Sequence, residues 1–292
     1  MISRIRFWLE NSRVFSLPMT ILSWLVIFVY SLKFNGDILN GFLALIGIAC
    51  GQLATNLFDD YMDYKRLNDN SQQCKCAYIK EGKATLADVL KVVIIYCVIA
   101  SFMGLVLFLR TGFPVIWLAI IGGIVVLSYS KFSQVGLSEI AVGITFGPLL
   151  FEGVYYVMTK TFSLEVFFLS LAVVMFTIGL MYVHTVLDFE GDMFSHKKTI
   201  ACRLGDKNKA INGVWIVYGL GYLFTLFFAI KSQNYLCLAT FVLLPLVYII
   251  YKSLKSFTSG EDVKEFYFRL LKARNLMVYY SLILIICILL KF

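Results

Sequence analysis

The chain has 292 residues, of which 60% are hydrophobic, 16% aromatic and 15% charged, and its mean hydropathy is +0.82. A soluble domain of this size carries charge on nearer a quarter of its residues, so a water-exposed globule is excluded and an integral membrane protein is implied. The formal net charge of +8 does not indicate a nucleic-acid binder, because the basic residues are spread along the chain without a compact aromatic-basic module and suit anionic lipid headgroups instead.

Runs long enough to cross roughly 30 Å of hydrocarbon as helices fall at 17–34, 37–58, 86–109, 111–130, 136–159, 163–187, 208–230, 234–254 and 275–291. The expectation is an all-α membrane protein with nine transmembrane helices in a single domain spanning 1–292. The opening "MISRIRFWLENSR" is too charged and interrupted for a cleavable signal peptide, so the first span is expected to be retained. Of 26 Lys and Arg, only Lys33, Arg110, Lys160, Lys231 and Lys291 fall on one side of this arrangement. Basic loops stay in the cytoplasm, which places the N-terminus there, the C-terminus outside, and the protein in the cytoplasmic (inner) membrane as a multi-pass chain.

The second span runs into "NLFDDYMDYKRLND". Continued as a helix, it sets Asn56, Asp59, Asp60 and Asp63 at offsets 0, 3, 4 and 7, on one face. Carboxylates at that spacing repel one another and are costly to desolvate near the bilayer, so they call for a cation. Taken alone the cluster also fits a solvated helix end. Beyond it, Cys74 and Cys76 form a lone Cys-x-Cys, too few ligands for zinc, and the cysteines within spans read as small hydrophobes.

In the fifth span, Glu139 sits near the cytoplasmic end, and an ionisable residue within a span is a functional candidate. Glu152 lies in the outer half and reads as a buried hydrogen-bonding group. The sixth span ends in "HTVLDFEGDMFSHKKT", with Asp188 and Asp192 at i,i+4 on one face, Glu190 turned away, and His184 one turn earlier, either facing a bound group or capping the polar end. The late stretch "SGEDVKEFYFRLLKAR" spaces Val263, Phe266, Tyr267, Leu270 and Leu271 helically and reads as a helix lying in the interface.

Two oxygen-only clusters at the same ends of even-numbered spans suit a hard cation, and Mg²⁺ typically binds a few carboxylates together with a substrate's phosphates. The chemistry suggested is metal-assisted handling of a diphosphate at a membrane surface. A cation-coupled transporter is the other class these residues admit, although transporters tend to place such groups near the midplane on broken helices.

The chain resembles the UbiA superfamily of intramembrane prenyltransferases, which have nine transmembrane helices and Asp-rich motifs after the second and sixth. The stretches that carry the resemblance are "RVFSLP" from Arg13, "NLFDDYMD" with a later Asp69, "YSKFSQVGLSE" from Tyr129, "FGPLLFEGVYYV" from Phe146 and "DFEGDMFSHKKTIACRLG" from Asp188. Within the superfamily the similarity is to the 1,4-dihydroxy-2-naphthoate prenyltransferases of menaquinone synthesis.

The resemblance implies Mg²⁺-dependent transfer of a polyprenyl group from its diphosphate to an aromatic acceptor. The partners it implies are polyprenyl diphosphate, that acceptor and membrane lipid; other superfamily acceptors are 4-hydroxybenzoate, homogentisate and haem. Asn56, Asp60, Asp63, Asp188 and Asp192 would hold Mg²⁺ against the diphosphate. Lys131, Lys197 and Arg13 would contact diphosphate or shape the headgroup pocket, with Tyr129 near the forming carbocation and Glu139 and His184 on the acceptor side. Three departures stand out: Asp59 occupies a position where the family usually has Asn, His196 one where Gly is usual, and an expected Arg is missing upstream of Gly82.

Overall fold

A computed structural model describes residues 2–66, 76–194, 198–257 and 263–291. Among them all regular structure is helical, and nine helices are long and apolar enough to cross a membrane. In hydrocarbon every backbone N–H and C=O has to find its partner inside the segment, which a helix achieves without neighbours.

The chain divides into two compact units. The first comprises residues 1–21 and 37–131. It begins with a short amphipathic helix, α1 (Ile2–Asn11), followed by a 3₁₀ turn at Val14–Ser16 that leads into α2 (Leu17–Leu32). Helix α3 (Ile38–Arg66) packs along α5 (Leu86–Thr111), with the single turn α4 (Ala77–Lys80) between them in sequence, and α6 (Pro114–Gln134) follows. Thr85 starts α5 with a reciprocal capping box to Asp88. Ile94, Ile95, Val98, Phe102, Leu105 and Leu109 of α5 are all exposed, the pattern of a helix whose outer face meets acyl chains.

The second unit comprises residues 22–36 and 132–292. Its described helices are α7 (Ser138–Ile144), α8 (Leu150–Thr159), α9 (Leu164–Leu187), α10 (Phe189–Phe194), α11 (Ile200–Arg203), α12 (Lys207–Lys231), α13 (Leu244–Lys255) and α14 (Val263–Leu289). Helix α9 is its centre, packed on α12 and α14. Gly179 permits the α9–α12 approach, since a Cβ there would lie 2.5 Å from the Tyr218 ring. Phe176 stacks on Tyr280 at 3.6 Å, and the Tyr280 hydroxyl shares a 2.6 Å hydrogen bond with Thr225.

Three features depart from a reading of nine plain spans. The fifth is broken: α7 and α8 are joined by a π turn at Thr145–Leu149 that contains Pro148 and a non-helical Gly147 (φ −95°, ψ −114°), and proline removes a backbone donor there. The eighth opens with a 3₁₀ segment, Tyr235–Leu243, before α13. The expected interfacial helix is not a separate element, because residues from Val263 onward form one continuous helix with the last span, 27 residues and about 40 Å long. One of its cations is satisfied within the protein: Arg269 is 9% exposed, donates to Ser253 O at 3.0 Å and pairs with Glu265 at 2.6 Å.

Candidate functional site

Helix α3 does continue past its apolar stretch, and its polar face is held by the N-terminal turn. The Asn56 amide donates to Ser12 O at 2.9 Å and to Ser16 Oγ at 3.3 Å, while the Gln52 amide donates to Ser16 Oγ at 2.9 Å and its oxygen accepts from Thr20. These ties place Arg13, in the left-handed region at φ 59° and ψ 47°, over Asp60. Its guanidinium forms an ion pair with that carboxylate, which is 1% exposed. Burial works against the Arg13 charge, and the Asp60 and Asp59 carboxylates outweigh it, holding the guanidinium above its ordinary range. Tyr129 of α6 adds to the same field. Asp59 is buried, Asp63 half-buried, and Lys131 exposed just past Tyr129.

Two residues around this cluster were not anticipated as part of it. The Cys76 thiol donates to Asp60 O at 3.3 Å, and burial together with Asp60 and Asp63 pushes its ionisation up to about 11. Tyr78, 6% exposed, is raised in the same direction by burial first and by the Asp60 charge second. Cys74, the other half of the Cys-x-Cys, lies outside the described residues.

In the second unit, Asp188 ends α9 and Asp192 follows one turn on in α10, its N–H donating to Asp188 O at 2.8 Å. Asp192 is 5% exposed. The His184 ring stands 3.4 Å from Asp188 and edge-on to Phe266. Glu190 is turned to Lys207 at 2.8 Å. Glu139 is 2% exposed; one carboxylate oxygen accepts from Ser138 at 3.0 Å, and the other is buried with no hydrogen-bond partner among the described residues. Glu152 accepts from Ser163 N at 3.3 Å, the hydrogen-bonding role expected of it, although it is half-buried where full burial was expected. Lys197 and His196 lie outside the described residues.

Arg203 was visible in the sequence only as a charge. Its guanidinium donates to Val135 O and, at 3.2 Å, to Lys198 O. Gly136, at φ 66°, lies so close to the same carbonyl that a Cβ would be 1.4 Å from Lys198 O. The turn after α6 is thus stapled to the strand of chain that leads into α11.

Among the described residues no three His, Cys, Asp or Glu side chains form a ready-made metal cage. The donor set nevertheless fits Mg²⁺, which takes one or two carboxylates and completes its octahedron with water and phosphate oxygens. The buried Asp60 already accepts a cationic partner in Arg13, so the face tolerates positive charge.

The profile of the UbiA prenyltransferase family matches residues 16–275. The 1,4-dihydroxy-2-naphthoate octaprenyltransferase of Escherichia coli (strain K12) is 26% identical over 226 residues, 71% of this chain and 71% of its own. The enzyme of the same name from Haemophilus influenzae is 26% identical over 253 residues, 80% of this chain and 81% of its own. Among solved structures, a UbiA homologue from Archaeoglobus fulgidus bound to GPP and Mg²⁺ has the same fold, with a TM-score of 0.62, 12% identity and coverage of 95% of this chain and 99% of that one.

Proposed function

The chain belongs to the UbiA prenyltransferase family and is a membrane-embedded prenyltransferase, and from that premise we propose that it moves a polyprenyl group from its diphosphate to 1,4-dihydroxy-2-naphthoate in a Mg²⁺-dependent reaction. The observation that carries the diphosphate half is the acidic face of α3, buried beneath Arg13. The acceptor rests on the two naphthoate prenyltransferases that the chain resembles over most of its length.

In this reading the allylic C–O bond breaks with its electron pair leaving on the diphosphate. A ring carbon of the acceptor attacks the resulting cation, and the ring carboxylate leaves as CO₂ with its C–C electron pair returning to the ring, which yields the quinol, demethylmenaquinol. Mg²⁺, when bound, neutralises diphosphate oxygens and so stabilises the leaving group. Asn56, Asp60 and Asp63 on α3, and Asp188 and Asp192 after α9, would hold it. Arg13, Lys131 and Lys197 would meet oxygens the metal leaves uncovered, with Asp59 beside them. Tyr129, near Arg13, would face the cation with its ring. Glu139 and His184 would serve the acceptor, the buried free oxygen of Glu139 being suited to a phenolic hydroxyl. The same reading puts the N-terminus and the loops at 59–85, 131–136 and 188–209 in the cytoplasm, and treats 1–292 as one catalytic domain of the cytoplasmic membrane.

The test supplies membranes containing the protein with a polyprenyl diphosphate, Mg²⁺ and a panel of dihydroxynaphthoate, 4-hydroxybenzoate, homogentisate and haem. Demethylmenaquinol is the expected product, read as demethylmenaquinone after oxidation by air during extraction. Prenylation of another panel member with none of the naphthoate would remove the acceptor assignment and leave the prenyltransferase intact.

A further inference from the structure

Helix α1 carries two apolar faces of different kinds. Phe7 and Trp8 turn inward and meet the Tyr78 ring edge-on, at 5.9 Å and 6.3 Å between centroids. Ile5 and Leu9, one turn apart, are 54% and 37% exposed, and Phe15 just beyond is 75% exposed. A helix that seats one face on its own protein and offers another apolar face outward is suited to the membrane interface, where Trp also prefers to lie.

Beside it opens a cleft of about 310 Å³ lined by Arg4, Phe7, Trp8, Lys83, Ala84 and Asp88. Its charges are not equivalent. The Asp88 carboxylate is committed to the start of α5, accepting from Thr85 N at 3.2 Å and Thr85 Oγ1 at 2.7 Å. Lys83 has an exposed pairing with Glu81, the kind of surface contact that is readily exchanged. Arg6 is paired with Glu10, whereas Arg4 has no carboxylate partner among the described residues. The N-terminus of the 26-residue α5, adjoining Ala84, adds its positive dipole end to the same side.

We propose that this cleft binds the phosphodiester headgroup of an anionic phospholipid, with Arg4 and Lys83 on the phosphate and Trp8 against the headgroup. Ile5, Leu9 and Phe15 then enter the acyl region beside it. The exposed apolar residues next to the cations favour a phosphate that carries a tail over a free one. The site lies within the first unit and does not depend on the identity of the prenyl acceptor.

The experiment uses the full-length protein in detergent, with lipid retention counted by native mass spectrometry. The probes are phosphatidylglycerol, phosphatidylcholine and inorganic phosphate. Wild type should retain phosphatidylglycerol in preference to phosphatidylcholine. The double variant Arg4→Gln/Lys83→Gln should lose about tenfold or more of that affinity, as expected for two cations near an anionic surface. Unchanged retention by the double variant, equal retention of the two lipids, or displacement of the lipid by millimolar inorganic phosphate would each overturn the assignment. A second arm leaves the cations intact. Phosphatidylglycerol brominated on its acyl chains should quench a part of the tryptophan emission that Trp8→Phe lacks, and brominated phosphatidylcholine should quench it less. Quenching that is the same with and without Trp8 would overturn the site even if the double variant failed to fold.

Discussion

The Arg13 guanidinium closes an ion pair on the carboxylate of Asp60, 47 positions further along the chain. To reach it, Arg13 adopts the left-handed backbone conformation at φ 59°, which costs a residue with a Cβ about 1–2 kcal/mol. A buried carboxylate stripped of its partner costs more, about 3–5 kcal/mol for a fully buried pair, so the pair holds the strained turn in place. The residue that carries this strain is the one that faces the acidic cluster, as expected where strain serves a site.

Arg13→Ala should therefore lower the melting temperature of the detergent-solubilised protein in EDTA, and added Mg²⁺ should recover part of the loss. Arg13→Lys should keep most of the stability and lose more in KM for the prenyl diphosphate, because an ammonium lacks the fork that grips paired oxygens. An unchanged melting curve for Arg13→Ala would show that the pair does not hold the turn.

Asp60→Ala and Asp192→Ala should each reduce prenyl transfer by at least about a hundredfold, the scale on which removal of transition-state charge stabilisation is felt. Chelation should do the same to wild type. Size-exclusion profiles should show the variants folded. A folded variant of either kind with near-normal turnover would show that its cluster does not hold the metal.

Gly136→Ala should disable the staple between the turn after α6 and the chain before α11, since no Cβ fits against Lys198 O. Arg203→Lys should weaken it, because a single ammonium does not reproduce a fork that donates to both Val135 O and Lys198 O. Both variants are expected to expose this part of the chain to limited proteolysis and to reduce activity by about tenfold or more, as misplaced catalytic groups do. Proteolysis patterns matching wild type would count against the staple.

Topology is checked from outside intact cells with a membrane-impermeant maleimide on a cysteine-free background. Asn35→Cys, in the exposed turn between the first two spans, should label, and Asn208→Cys, exposed at the start of α12, should not. The reverse pattern would invert the orientation.

Much of this was legible from spacing. The i, i+3, i+4, i+7 pattern from Asn56 to Asp63 placed the acidic face on a helix that does extend to Arg66, and the i,i+4 pair Asp188 and Asp192 is bridged by a backbone hydrogen bond. Glu190 pointed away as read, because Lys207 holds it. What escaped were contacts made to the backbone. Arg203 binds two carbonyls and Cys76 a third, and a carbonyl has no sequence signature. The last helix was misjudged for a different reason: the helical spacing of Phe266, Tyr267, Leu270 and Leu271 read as the apolar face of a surface helix, yet Glu265 and Arg269 on the same stretch neutralise one another one turn apart, with Ser253 O accepting a further hydrogen bond from Arg269. Pro148 was in plain view, but the apolar pattern on both sides of it hid the break.

That break has a rotational consequence. A π turn houses one residue more than an α turn, so everything downstream is swung round the axis by about 100°. The buried row of α8, namely Phe151, Val154, Tyr155 and Met158, is therefore the face selected by the joint, one residue out of step with a continuous spiral drawn from α7. A single-residue deletion within Thr145–Leu149 would take out the extra residue, yield a straighter rod and leave Phe151 and Val154 on the core face, whereas loss of one residue from the regular turns of α7 or α8 would set the two ends out of phase by about 100°. Outside the joint, an insertion or deletion that looks neutral in a hydropathy plot would act as a frameshift in three dimensions, with the hydrophobic count unchanged and the contacts beyond it misaddressed; within it, the turn itself can take up the change.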